Sequence, residues 1–489
     1  MRMPVEVEEV ITKLHQAGFE AFAVGGCVRD VLLHKKPGDW DVTTNAQPNE
    51  IQKIFPKSFY ANRFGTVTVH TNATDETVQE IEVTTYRIEA AYSDQRHPDD
   101  VTFTTKLEED LARRDFTVNA MALSLTPDKA WPTIDGLTII DPFGGLKDLN
   151  DRLIRAVGDP TERFQEDALR LLRAVRFTAQ LSFTIEAATL AAITKNAAGI
   201  RAVSGERVRD ELKKIIMSDH PEAAFVLLEQ TGLLKDILPE VQEGVGIGQN
   251  KHHIYTVFEH NVKSLQFAAD YDYPFHVRLA ALLHDIGKPR TKRKQGEDYT
   301  FYGHEIVGAA MAEALLRRLH FSNEDIHAVT HLVRHHMFYY DIDKVTEAGM
   351  RRLLRRVGPE HFDDLIKLRI AERKGSGVPK ARPYRLRHLQ FMAEKVSQQP
   401  LTVGQLKING NDLMTELGIQ PGPTIGGILN ALLAEVVEEP KNNTREWLLA
   451  RARELQHLNP TELKAKGVAA IEAEEEKRTA ATKRKYGVH

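Results

Sequence analysis

The chain carries a single cysteine, Cys27, in 489 residues. One thiol excludes an intrachain disulfide and any zinc site built from several cysteines, so a bound metal must rest on carboxylate or imidazole. Long apolar runs are also missing. Nothing approaches the roughly 18 residues of a membrane span, and the opening MRMPVEVEEV has no apolar signal core. No membrane is expected as a partner, and the expected location is the cytoplasm. An excess of either charge is lacking too. The formal net charge of -4 argues against a uniformly basic nucleic-acid coat while leaving room for local patches that contact phosphates.

What is present is the composition of an ordinary globular chain, 42% apolar and 27% charged. Its length exceeds what one hydrophobic core serves, so three or four structural units are expected in series. Up to about residue 145, short β-rich runs such as GTVTVHT and QEIEVTTYR alternate with helix-like segments, which reads as mixed α and β. Most of the rest is helical, giving an α+β chain overall. ERFQEDALRLLRAVRFTAQLSF has apolar residues at helical spacing and GERVRDELKKIIMS is amphipathic, so the two predict a helical neck. Histidines gather among helical runs from about 250 to 375. RKGSGVPKARPY reads as a linker before a further helical section, and the closing EAEEEKRTAATKRKYGVH as a solvated or frayed helix. The expected units are 1–145, 146–250, 251–375, 376–460 and 461–489.

The chemistry begins in FEAFAVGGCVRDVLL, which predicts a buried strand, a turn at Gly25 and Gly26, and a helix from about Cys27. Glycines let the backbone approach a ligand, a helix N-terminus offers N–H groups to phosphate oxygens, and Arg29 can add a charged contact. Alone, a Gly-Gly pair is an ordinary turn. A few residues on, GDWDVTT sets Asp39 and Asp41 two apart on an expected strand, where period-2 alternation aims both carboxylates at one face. Carboxylates held together call for a divalent cation, and Mg²⁺ prefers such oxygen ligands. Glu82 in EIEVTTYR is placed by pattern to complete a two-metal site that activates a hydroxyl and stabilises a leaving pyrophosphate. Asp39, Asp41 and Glu82 are therefore the candidate catalytic groups. An isolated Asp-X-Asp is more often a loop or surface strand; the succession of both motifs favours the chemical reading.

The order GGCVRD, DWD, RRDFTVNAMA, DPFGGLKDL, EDALRLLRAVRF and GERVRDELKKI resembles the successive motifs of class II tRNA nucleotidyltransferases and bacterial poly(A) polymerases. The resemblance covers roughly residues 20 to 216, and NGNDLM with GPTIGGILNALL, near 409 to 433, looks like a C-terminal signature of the same family. It implies a polymerase-beta-like catalytic head followed by a helical neck, body and tail. The activity it implies is template-independent addition of CCA to tRNA 3′ ends from CTP and ATP, with poly(A) polymerase or A-adding activity as alternatives. Carried onto this chain, it makes Asp39 and Asp41 the ligands of Mg²⁺ and puts Gly25, Gly26 and Arg29 on the triphosphate. Arg114, Asp115 and Asn119 match the motif that holds the ribose. Read without the family, 113–115 would be a solvated helix start and Asn119 a cap or turn former. Asp167 and Arg170 match the amino-acid template that reads the base, and Arg173 and Arg176 extend the nucleotide-binding set. Cytosine and adenine each present an amino donor beside a ring-nitrogen acceptor, so one Asp acceptor beside one Arg donor complements both, while uracil and guanine reverse that polarity. Positions i and i+3 of a helix share a face; the bland reading of the pair is an intrahelical salt bridge. The stretch IEAAYSDQRHPDDVTF matches the flexible loop of enzymes that switch from CTP to ATP, which argues against a CC-only enzyme.

In RLAALLHDIGKP, the pair His284-Asp285 follows an apolar helical run. With His260 before it and His304, His335 and His336 after it, the order resembles the HD phosphohydrolase superfamily. Imidazole and carboxylate can jointly hold a transition metal such as Mn²⁺, Ni²⁺ or Fe²⁺, and a metal-bound water could attack a phosphate ester. The set departs from that superfamily at its closing aspartate, where Glu372, with Asp364 one helical face earlier, is the counterpart; the extra methylene moves the oxygen. A reading from another class is an HD hydrolase with a noncatalytic RNA-binding head, and another a wholly noncatalytic RNA-binding protein. The intact Asp39-X-Asp41 with EDALR argues against both.

Overall fold

The structure, a computed structural model, describes residues 2–60, 65–89, 101–249, 254–296, 298–338, 340–342, 344–377, 384–397 and 402–488. Most of the segment expected to switch nucleotides, 90–100, lies outside them.

The head is organised by a twisted sheet with strand order β3-β4-β5-β2-β1-β8-β10-β9. Its strands are β1 (Ala21–Val24), β2 (Asp41–Thr44), β3 (Ser58–Tyr60), β4 (Thr66–His70) and β5 (Glu80–Thr85), with a separate ribbon of β6 (Arg87–Glu89) and β7 (Val101–Phe103), then β8 (Ala122–Ser124), β9 (Thr133–Ile134) and β10 (Leu137–Ile140). Val and Ile alternate through β4 and β5, and their inward members Val67, Val69, Ile81 and Val83 are buried. Helix α1 (Val5–Gln16) packs through Val7, Val10, Ile11 and Leu14. One register matters most. β2 and β5 run parallel with Asp41 opposite Glu82, while β1 runs antiparallel to β2 with Val24 opposite Asp41. The turn out of β1 and the starts of β2 and β5 therefore share one edge of the sheet.

Helices α2 (Gly26–Leu32) and α3 (Leu107–Ala112) complete the head's inner layer. In the neck, the expected single run is two helices, α4 (Pro160–Glu166) and α5 (Leu169–Leu181). Asp167 stands between them with extended backbone, φ −139° and ψ 105°. Its Oδ1 accepts from the Leu169 N–H, which starts the second helix afresh. Helix α6 (Gly205–Ile216) packs on α5, joined by the buried Arg176–Glu211 ion pair at 2.5 Å.

The chain divides into two compact units, one of residues 1–336 with 367–379 and one of 337–366 with 380–489. The expected segment 251–375 is thus shared between them. The first unit continues through α7 (Val257–Asp270), α8 (Phe275–Leu283), α9 (His304–Arg318) and α10 (Asn323–His335). The second contains α11 (Glu347–Val357), and α12 (Phe362–Gly375) crosses the boundary. It continues with α13 (Tyr384–Ser397), α14 (Pro423–Glu438) and α15 (Pro460–Tyr486). Its core gathers Leu413, Ile428, Leu432, Leu448 and Ala452. The charge run expected as a solvated or frayed helix is helical to Tyr486 and mostly exposed, as expected, while the part of the same helix that precedes it is packed. Helix α15 lies along α14 so closely that a Cβ on Gly467 would stand 2.6 Å from the Asn430 carbonyl carbon. Its end is pinned by Arg387 donating to the Tyr486 and Gly487 carbonyls and by Tyr486 donating to Glu394. No helix among the described residues is long and apolar enough to cross a membrane.

Candidate active site and a buried histidine cluster

At the shared sheet edge three carboxylates converge. Asp41 opens β2, and Glu82, expected on an adjacent strand, is its partner on β5. Asp39 differs from expectation: it lies in the bend Gly38–Asp39 before the strand rather than on it. Trp40, which separates Asp39 and Asp41 in sequence, is buried. Burial raises the Asp41 carboxyl to about 6; Arg114 opposes that rise, and the negative charges of Asp39 and Glu82 add to it. At Asp41 the single guanidinium of Arg114 does not offset burial and the two neighbouring carboxylates. Asp39 and Glu82 are exposed and Asp41 is half-buried, so the oxygens face a region that an ion and a polyphosphate can reach. This donor set fits a hard divalent cation.

Beside it, Gly25 has φ +85° and caps α2. The backbone there favours glycine, and a Cβ would come within 2.8 Å of Arg114 Nη1, so the guanidinium lying over the turn would have to shift. Arg114 Nε is buried without a hydrogen-bond partner. Cys27, below this turn, has its Sγ 3.2 Å from the Val24 carbonyl, and burial pushes its thiol up to about 12.

A chain of polar contacts leads from α2 to the neck. Arg29 donates to Asn119 Oδ1 at 2.8 Å, and Asn119 donates to Asp115 Oδ1 at 3.1 Å. Asp115 Oδ2 accepts two bonds from Arg173, at 2.8 and 2.6 Å. Burial alone would raise the Asp115 carboxyl, but Arg173 and the Asn119 amide hold it down to about 2. Far from being a solvated helix start, 113–115 follows the end of α3, and Arg113 and Arg114 both face the buried Asp110. Asp110 escaped the sequence reading because an acid inside LEEDLA looks like a surface helix residue. Arg176 is tied into the neck, to Glu211 and over the Phe177 ring at 4.1 Å.

The helix break changes how Asp167 and Arg170 are set. They are not two positions of one helix, and among the described residues no ion pair joins them. Asp167 Oδ2 accepts from Arg207 Nη2 at 2.7 Å. Arg170 donates to Glu166 at 2.5 Å and to the Arg163 and Arg113 carbonyls. Arg207, whose Nη1 is buried without a partner, was missed; its place inside GERVRDELKKI was the available signal.

Farther along the same unit, His260 on α7, His284 and Asp285 after α8, His304 at the start of α9 and His336 at the end of α10 meet in a buried cluster. His260 Nε2 and His284 Nε2 are 3.0 Å apart, and His304 Nε2 and His336 Nε2 3.2 Å apart. Asp285 stands between the pairs, its oxygens 3.3 Å from His284 and from His304. The Nδ1 atoms of His284, His304 and His336 lie 2.9, 2.8 and 2.7 Å from backbone carbonyls. A carbonyl only accepts, so each Nδ1 carries a proton, and each Nε2, the atom that a metal would take once it is deprotonated, is turned inward. Burial and the neighbouring His284 push His260 down to about 3. Inward Nε2 atoms around a carboxylate are the donor set of a transition metal, with the Nδ1 contacts as outer support. His335 is outside it. Consecutive helical residues point about 100° apart, so His336 takes the inward place while the His335 ring lies 4.6 Å from that of His331. Glu372 reaches the surroundings of His284 and His336 and is held at about 2, against its burial, by Arg369, with which it forms an ion pair at 2.6 Å.

The sheet and its carboxylate edge define a nucleotidyltransferase, and residues 21–155 match the poly A polymerase head domain. Residues 304–452 match tRNA nucleotidyltransferase domain 2. The CCA-adding enzyme of Limosilactobacillus reuteri (strain DSM 20016) is 32% identical over 452 residues, 91% of this chain and 95% of that one. With the CCA-adding enzyme of Lactobacillus helveticus (strain DPC 4571) identity reaches 44% over 234 residues, a stretch spanning 55% of that protein. The chain belongs to the family of CCA-adding enzymes. Among solved structures, the Bacillus stearothermophilus CCA-adding enzyme in complex with CTP superposes with a TM-score of 0.57 at 29% identity, over 93% of this chain and 99% of that one. A Thermotoga maritima CCA-adding enzyme complexed with tRNA shares the fold, with a TM-score of 0.50 at 21% identity over 92% of this chain and 94% of that one.

Proposed function

We propose that the chain adds C, C and A in turn to tRNA 3′ ends from CTP and ATP, without a nucleic-acid template. The observation that carries this reading is the convergence of Asp39, Asp41 and Glu82 beside the α2 N-terminus, with Asp167, Arg170 and Arg207 on the neck of the same unit. The carboxylates would hold Mg²⁺, which supplies activation of the RNA 3′-hydroxyl and charge neutralisation of the departing pyrophosphate. Gly25, Gly26 and Arg29 receive the triphosphate, Arg114 adds its unspent N–H, and Asn119, braced by Asp115 and Arg173, faces the ribose. Asp167 accepts from the base amino group and Arg170 donates to the neighbouring ring nitrogen, each held by an ion pair it must share. The reaction belongs in the cytoplasm. Supplying a tRNA that lacks its 3′ end with each labelled nucleotide and sequencing the product tests this reading: ordered C, C, A supports it, and an A-only tract would replace it with poly(A) or A-adding activity.

A second reading concerns the histidine cluster. His260, His284, Asp285, His304 and His336 would hold Mn²⁺, Ni²⁺ or Fe²⁺ and carry a phosphohydrolase activity of HD type on nucleotides or RNA ends. The inward Nε2 atoms favour it. Metal analysis of protein purified without chelator, followed by assay on phosphomonoesters and cyclic phosphates, tests it.

A further inference from the structure

Between Glu347 and Glu360 the sequence AGMRRLLRRVGP contains four arginines and no carboxylate. In α11 these residues separate by side. Met350, Leu354 and Val357 are buried, whereas Arg351, Arg352, Arg355 and Arg356 are all exposed. At about 100° per residue the four arginines span about 140° of the helix surface, and each i,i+4 pair is separated by about 6 Å along the axis. Little neutralises them. Arg351 donates to Glu347 at 3.0 Å, but Glu347 also takes Lys395 at 2.9 Å. Arg352, Arg355 and Arg356 have no carboxylate at ion-pair distance among the described residues. Like charges at i,i+4 weaken a helix, so this face carries a cost inside the unit, in a chain whose net charge is -4.

We propose that the arginine face of α11 is a contact surface for the backbone phosphates of RNA, serving the tRNA substrate; the inference rests on the CCA-adding reading. A guanidinium fork matches two phosphate oxygens at once, and such contacts position RNA without reading its sequence. A basic amphipathic helix can also lie on an anionic membrane, but only by burying its apolar side in lipid. Here that side is already occupied, since Met350, Leu354 and Val357 belong to the unit's own interior. What remains outward is charge alone, which fits a polyanion in water.

The test uses the full chain with Arg352→Ala, Arg355→Ala and Arg356→Ala combined, beside the corresponding triple Arg→Lys variant. Affinity for a tRNA lacking its 3′ end is measured across a salt series. Losing three phosphate contacts should flatten the slope of log K against log salt by about 2, which at about 0.1 M salt corresponds to roughly a hundredfold weaker binding. CTP affinity should stay as in the wild type and the melting temperature should not fall, and the lysine variant should keep most of the slope. An unchanged slope and tRNA affinity in the alanine variant overturns the proposal, as does loss of binding to anionic phospholipid vesicles with tRNA binding intact. A wild-type chain that binds tRNA yet incorporates no nucleotide would refute the catalytic reading instead, leaving the salt slope to judge the surface.

Discussion

Replacing Asp41 by Asn should stabilise the metal-free protein while abolishing its activity. The Asp41 carboxyl is raised from an ordinary 3.8 to about 6, chiefly by burial and by the charges of Asp39 and Glu82. An acid whose folded pKa is raised binds its proton more tightly when folded, so stability falls as pH rises from about 3.8 to about 6 and the full cost persists above. At 1.36 kcal/mol per unit that cost is about 3 kcal/mol, an order-of-magnitude value for a half-buried group. Asparagine keeps the shape and removes the charge. In EDTA at pH 8 the variant should therefore melt at a higher temperature than the wild type, with the gap closing as pH falls towards 4. Saturating Mg²⁺ should raise the wild type much more than the variant, because a bound cation supplies the missing countercharge. Thermal unfolding of both proteins, with and without Mg²⁺ at several pH values, measures all of this. A variant less stable than wild type in EDTA at pH 8, or a gap that does not change with pH, would refute the argument.

Three further outcomes are expected. Asp167→Ala and Arg170→Ala should each lose roughly 1 to 3 kcal/mol of base discrimination while retaining residual catalysis; unchanged rejection of UTP and GTP in single-nucleotide incorporation by both would remove them from base reading. His284→Ala combined with Asp285→Ala should lose transition metal and any phosphohydrolase activity while nucleotide addition continues, so addition that collapses together with metal content would contradict the division of labour. Gly25→Ala meets both a φ of +85° and the Arg114 guanidinium at 2.8 Å, so it should cost about 1 to 2 kcal/mol of stability and raise the KM for CTP; a wild-type KM would show that Arg114 does not depend on that turn.

The sequence made legible what depends on short-range periodicity. Alternation in GDWDVTT and EIEVTTYR was enough to place Asp41 and Glu82 on strands, but the parallel register that sets them opposite each other is a tertiary feature. Alternation misplaced Asp39, since nothing in the pattern marks where the bend at Gly38 yields to the strand. Asp167 was harder. Only its side chain, substituting for a helical backbone partner at Leu169, breaks the run, and apolar spacing continues smoothly across that break. Arg207 reaches Asp167 from 40 residues away, a tertiary contact that no local pattern encodes. Between His335 and His336 the helical phase alone decides, and one residue of uncertainty exchanges an inward ring for an outward one. The charged end of α15 is exposed as its composition suggests, but the packing of its first half was hidden because it depends on Gly467 allowing two backbones to approach.

Cys27 gives the head an internal gauge. The chain's only thiol lies under the Gly25–Gly26 turn, buried, and that burial pushes it up to about 12. Nucleophilic attack by sulfur requires the thiolate, so oxidants and alkylating agents find no handle while the thiol stays buried. Catalytic output should then be insensitive to the redox state of its surroundings. Labelling of that one sulfur, whenever it does occur, would time the opening of the sheet edge itself, free of any signal from the remaining 488 residues.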